Sequence, residues 1–315
     1  MNSPTTQSYA DSTAHEAPPA VDYVMRAREL RGLIESEAGN AEKQGTLSMS
    51  VVEAMREAGL FWTLCPTELG GAGESILTHM SVLEEVSRSD ASSGWTLMAN
   101  STATTVAATQ CTDEHVERMF GGPRMPVMAL AYAPTGKCVE DKDGYRGGGR
   151  FGFGSGIAHA DWVSGGLVVQ KNGSPKILEN GMPQVLGAFV PKSEIRLHGN
   201  WDVAGLQGTG SYDFEVIEQA IPKAATFDQY FEKSYRGGVI TALGTYQYAA
   251  AGHAAVVLGI ARRSLEEIAC IASERKRLQS TETIAMGSVF RSEFMKNVAL
   301  FEAARALVHE AYRAA

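Results

Sequence analysis

Between residues 127 and 218 five short segments of β-type composition follow one another: VMALAYA, GRFGFGS, WVSGGLVVQ, VLGAFVP and YDFEVIE. Turn residues separate them, and helical periodicity flanks the block on both sides. A doubly wound sheet would alternate its strands with helices, so this segregation predicts an α+β protein with an antiparallel β-domain set between two α-helical regions.

Upstream, apolar residues recur at helical spacing in MRARELRGLIESEA and in SVVEAMREAGL, where Val51, Val52, Met55 and Leu60 share a face and Gly59 suits a helix end. Helices follow over ILTHMSVLEEVSRSD and SSGWTLMANSTATTVAATQ, the second with Ser92 or Ser93 as N-cap. GGPRMP at 121–126 punctuates the change to strands. From about Gln229 the pattern is helical again, in two long segments. The first is rich in Ala and Gly over 237–261, which lets neighbouring helices approach closely and predicts burial in a bundle or at a subunit contact. The expected organisation is a disordered leader at 1–20, a helical domain at 21–124, a β-domain at 125–226 and a helical bundle at 227–315. EAARALVHEAYRAA carries no stop signal, which leaves open a bundle that continues past Ala315.

The 315 residues, 44% of them hydrophobic, suffice for a sizeable core. A net charge of −8 without a Lys/Arg run argues against nucleic-acid binding, which needs clustered cations. Cys65, Cys111, Cys138 and Cys270 are widely spaced and form no CxxC pair, so neither a metal site nor a disulfide framework is expected, and reduced cytoplasmic thiols fit. The start lacks a cationic and apolar signal, and no run reaches the roughly 18 apolar residues of a membrane span.

One stretch asks for an explanation. GRFGFGSG at 149–156 puts four glycines, two phenylalanines and Ser155 into a strand pattern. Glycine weakens a strand and often marks the close approach of a ligand or of another backbone. A bulged hairpin without a ligand is the alternative.

The α, β, α order carries landmarks: AGLFWTLCPTELGGAG at 58–73, MALAYAPTG at 128–136, the glycine-rich stretch, WDVAGLQGTGSYDFEVIEQAIP at 201–222 and ASERKRL at 272–278. Together these resemble the acyl-CoA dehydrogenase superfamily. SSGWTLMAN, GSGIAHADW and GLQGTGSYD resemble more closely its two-component flavin-dependent monooxygenases. The resemblance implies an oxygenase component that takes reduced flavin (FMNH2 or FADH2) from a separate NAD(P)H-dependent flavin reductase. It would use O2, through a flavin C4a-hydroperoxide and without metal, to hydroxylate a small aromatic or polycyclic substrate. It also implies a homotetramer.

Residue by residue, the resemblance puts Ser155 against flavin N5 as the catalytic hydroxyl and Phe153 beside the ring. Gly152, Gly154 and Gly156 would admit the ring to the backbone. Ala131, Tyr132 and Pro134 would stand at its pyrimidine edge, and Arg275 at a phosphate across a subunit boundary. Trp95 would line the flavin and substrate pocket. The bland readings are a strand-bonding serine, a Pro-Gly turn, a solvated arginine and a core tryptophan. Leu278 and Gln279 stand where the dehydrogenases carry Phe and Gly, which leaves FMN and FAD both open.

An acyl-CoA dehydrogenase, or an allied flavin oxidase, is the rival activity, and a catalytically silent scaffold the rival class. The resemblance implies that a dehydrogenase would need a glutamate base at one of two family positions: one corresponds to the segment around Ala249, where no Asp or Glu occurs between Glu232 and Glu266, and the other lies past Ala315 and is left open. NSTATTVAA, one to two turns beyond Trp95, lacks the histidine that related hydroxylases carry there. His159 reads as a surface-turn residue, His253 faces either bundle or pocket, and GTGS at 208–211 reads as a tight turn before YDFEVIE.

Overall fold

A computed structural model describes residues 21–230, 234–278 and 280–314; the leader expected at 1–20 and Gln279 lie outside them. The first helices are α1 (Tyr23–Glu29), α2 (Arg31–Gln44), α3 (Met49–Glu57), α4 (Ile76–Ser89), α5 (Ala91–Gln110) and α6 (Asp113–Phe120). Gly59, at φ +76°, stands just past the C-cap Ala58 of α3. The N-cap of α5 is Asp90, which accepts from Ser93 N at 2.7 Å. Ser92 and Ser93 are buried inside the helix instead, because the carboxylate one turn earlier meets the orphan amide first.

Helix α5 has no polar face and is enclosed almost completely. It packs on α4 and on strand β1. Its many hydroxyls survive burial by donating to carbonyls one turn back: Thr104 to Asn100, Thr105 to Ser101 and Thr109 to Thr105, at 2.6–2.8 Å.

The strands are β1 (Met128–Asp141), β2 (Gly144–Gly154), β3 (Trp162–Lys171), β4 (Ser174–Pro175), β5 (Val185–Pro191), β6 (Ile195–Leu197), β7 (Tyr212–Pro222) and β8 (Thr226–Asp228). Their order is β6-β7-β2-β1-β3-β5-β8, with β4 on β3. One pair departs from the antiparallel expectation: β3 runs parallel to β1, from Met128↔Trp162 onward. The hairpin into β2 returns the chain to the start of β1, and residues 155–161 carry it to the other side of β1. The sheet is therefore mixed.

Among the described residues after β8, the first helix is α7 (Val239–Leu243); α8 (Thr245–Glu274) and α9 (Ser288–Arg313) follow. The expected long first segment is thus broken, with Gly244 at φ +83° between α7 and α8. Helix α8 packs against α4 and α5 through Ala251, Ala255, Val256 and Gly259. A Cβ at Gly259 would collide with the Glu84 carbonyl, so the small residue sets the helix separation. Helix α9 docks through Arg305 and His309, both hydrogen-bonded to the buried Glu84 carboxylate, and through Val308 and Tyr312, packed against the helical core.

Candidate active site

A cavity of about 510 Å³ opens where α5, the start of α8, the sheet and the 201–211 segment meet. That size suits a small organic ligand, for which pockets run to roughly 300–1,000 Å³. Aromatic rings form much of its wall. Trp95 and His253 meet edge to face, centroids 5.3 Å apart; Tyr132 and Tyr246 do so at 5.3 Å, and Phe153 and Trp201 at 6.2 Å. Among the described lining residues there is no Asp, Glu, Lys or Arg. Ala249 lies on the wall, so the position matched to a dehydrogenase base opens onto the cavity as a methyl group.

Ser155 follows β2 directly, and a chain of hydroxyl groups runs through it. Trp95 Nε1 is 3.1 Å from Ser155 Oγ, which is 2.8 Å from Ser211 Oγ. Ser211 Oγ is 2.8 Å from Thr209 Oγ1, and Thr209 Oγ1 donates to the Leu206 carbonyl at 2.9 Å. An indole N–H only donates and a carbonyl only accepts, so the two ends orient every proton between them. Trp95 donates to Ser155, Ser155 to Ser211, Ser211 to Thr209 and Thr209 to Leu206. Ser155 Oγ, its own proton committed, keeps one lone pair for a guest.

Local backbone supports this arrangement. Phe153 sits at φ +60° and is 74% exposed. A non-glycine residue held in this region costs about 1–3 kcal/mol, and such strain gathers at ligand sites. Gly156, at φ +67°, anchors the turn: a Cβ there would strike the Asn100 amide, whose Nδ2 donates to the Ser155 carbonyl at 3.3 Å. A Cβ at Gly154 would press on Ile157 and the Tyr212 carbonyl. Glycine at 154 and 156 is thus already accounted for by the protein's own atoms.

The segment 131–136 is a bulge within β1 and not a Pro-Gly turn: pairing with β3 breaks between Ala131 and Gly136. The Ala131 side chain is buried in the sheet core, and Pro134 packs near Gly166, so neither side chain lines the cavity. Tyr132 does, and its hydroxyl donates to the Gln229 carbonyl at 2.9 Å while its own carbonyl accepts from Gln229 Nε2. Gln229 Oε1 and Asn100 Oδ1 are buried without a partner in the described structure.

The structure therefore gathers Trp95, Tyr132, Phe153 and Ser155. Arg275 is exposed at the far end of α8, about 33 Å along the helix from His253 at 1.5 Å per residue, and reaches this cavity in no way within one chain. His159 corrects the surface-turn reading: it is buried, its ring on Thr46 Oγ1 at 3.0 Å, and burial pushes its pKa down to about 4. Sequence reasoning passed over Thr209 and Ser211, whose GTGS run forms a tight turn that also ends the hydroxyl chain. It left His253 undecided, because an Ala-rich helix gives little amphipathic signal.

Residues 25–122 match the family model described as the acyl-CoA dehydrogenase N-terminal domain. The chain is 27% identical over 278 residues to the indole-3-acetate monooxygenase of Pseudomonas putida, covering 86% of this chain and 67% of that protein. It is 26% identical over 212 residues to a FADH2-dependent resorcinol hydroxylase, oxygenase component, of Rhizobium sp., covering 65% of this chain and 48% of that one. Among solved structures, XiaF from Streptomyces sp., in complex with FADH2 and glycerol, superposes with a TM-score of 0.79 over 93% of this chain and 74% of that chain, at 20% identity. The fold is that of the acyl-CoA dehydrogenases.

Proposed function

We infer that this chain, of the acyl-CoA dehydrogenase superfamily by fold, is the oxygenase component of a two-component flavin-dependent monooxygenase that hydroxylates a small aromatic or polycyclic substrate. The carrying observation is a cavity walled by aromatic rings and hydroxyls, with no carboxylate on its described lining. Dehydrogenation of an acyl thioester requires a base for the α-proton, and Ala249 cannot serve.

The residues fit a flavin. Aromatic walls suit a flat ring, the strained and exposed Phe153 lines the cavity, and the β1 bulge frees backbone groups from the sheet ladder beside it. Reduced flavin, when bound, supplies the electrons that activate O2. Phe153, Trp95 and Tyr132 would hold the ring, with the backbone of Ala131 and Pro134 at its polar edge and Gly156 fixing the turn beneath Ser155. Ser155 presents a lone pair, so it would accept the N5–H of a reduced ring and would have no proton to offer the bare N5 of an oxidised one. The apolar walls keep water from the reacting atoms.

The same reading assigns a separate NAD(P)H-dependent flavin reductase as partner, a cytoplasmic setting and a homotetramer. Assembly is supported by α9, which exposes Val289, Met295, Leu300 and Leu307. A neighbouring subunit's flavin phosphate would give the exposed Arg275 its task.

The test is anaerobic. With bound oxidised flavin, a panel of acyl-CoA thioesters should leave the flavin absorbance unchanged; bleaching by any of them would overturn the reading in favour of a dehydrogenase.

A further inference from the structure

His253 is the one imidazole on the described cavity wall, and its chemistry is fixed by its own helix. Nδ1 lies 2.7 Å from the Ala249 carbonyl, one turn back on α8. A carbonyl only accepts, so Nδ1 carries the proton, and in the neutral ring Nε2 carries the lone pair. Among the described residues Nε2 has no hydrogen-bond partner. The edge-to-face contact with Trp95, interplanar angle 90°, holds the ring beside the indole that starts the Ser155 chain. Among the described lining residues no carboxylate competes for a donor, and their remaining polar side-chain groups are hydroxyls and the indole N–H groups of Trp95 and Trp201. Imidazole nitrogen is a stronger acceptor than these hydroxyls.

We propose that His253 Nε2 accepts a hydrogen bond from a ring O–H or N–H of the aromatic substrate, and so selects phenol-like or indole-like rings over their O- or N-methylated counterparts. The inference rests on the proposed hydroxylase function for the class of substrate. Recognition needs only the folded cavity, and because His253 is exposed, its share in discriminating against the analogue that lacks the donor is that of one neutral hydrogen bond.

The experiment compares phenol with anisole, and indole with 1-methylindole, by calorimetric binding to the full chain without flavin. Measurements on wild type, His253→Leu and His253→Gln complete the comparison. The donor-bearing member should lose about 2- to 10-fold of its relative preference in His253→Leu, the range of one neutral hydrogen bond, and recover part of it in His253→Gln, whose amide oxygen accepts. Side-chain nitrogen NMR of the wild type gives a second readout: phenol should shift the His253 Nε2 resonance and leave Nδ1 protonated. An unchanged preference in His253→Leu, an absence of binding of all four probes to the wild type, or phenol binding without the Nε2 shift would each overturn the proposal. Because no flavin or turnover enters, these outcomes are independent of the acyl-CoA test, which judges the hydroxylase reading itself.

Discussion

Trp95 and Ser155, sixty residues apart, are joined by an indole N–H donated to a serine hydroxyl at 3.1 Å, at the head of a hydroxyl chain whose protons are drawn one way by the Leu206 carbonyl at its other end. The consequence is redox selectivity. Reduced flavin should bind more tightly than oxidised flavin, and Ser155→Ala should narrow the gap. Loss of one neutral hydrogen bond, about 0.5–1.5 kcal/mol, should also raise the share of O2 wasted as hydrogen peroxide by about 2- to 10-fold. Anaerobic titration of both redox forms and the ratio of product to peroxide measure the two effects. Equal affinities in wild type, with an unchanged ratio in the variant, would make Ser155 a strand residue.

Phe153 gives a prediction in which stability and binding part company. Its side chain is largely exposed at φ +60°, so Phe153→Gly gives up little burial and relieves about 1–2 kcal/mol of backbone strain. Part of that is offset by the greater freedom of glycine in the unfolded chain. Thermal unfolding should stay level or rise, while flavin affinity falls. A large drop in unfolding temperature would mean that Phe153 serves the fold.

Acid should weaken the fold as pH falls below about 6.5. His79 and His159 are buried, and burial lowers each pKa from 6.5 to about 4. Above pH 6.5 both are neutral in either state. As pH falls from 6.5 towards 4 the unfolded chain takes up protons that the folded chain refuses, so stability declines through that window by about 1.4 kcal/mol per pH unit for each histidine. Urea midpoints at pH 7.5, 5.5 and 4.5 report the slope. His159→Gln should reduce the slope by about half, His79 keeping its share, and a flat wild-type profile would contradict the burial argument.

The order of elements and most strand positions were legible because Gly, Pro and β-branched residues punctuate the middle of this chain clearly. Trp95, Tyr132, Phe153 and Ser155 could be named together because each stands in a landmark stretch, and the structure brings the four to one cavity. Three matters were not legible. The parallel β1–β3 pair follows from a crossover that local pattern does not encode. His159 looked like a turn residue, and only the packing of Thr46, Arg56 and Asp161 around its segment buries it. The hydroxyl chain needs Ser155 and Ser211, separated by 56 positions, to meet across the β2–β7 pair.

The central claim is that one oxygen atom of O2 ends in an aromatic product. It is tested most directly by supplying chemically reduced flavin, 18O2 and a panel of phenols and indoles to the purified protein and weighing the products. The account predicts a product heavier by one 18O atom, formed only with protein and reduced flavin both present. A panel returned unchanged, with all O2 recovered as hydrogen peroxide, or a product oxygen drawn from water, would contradict it.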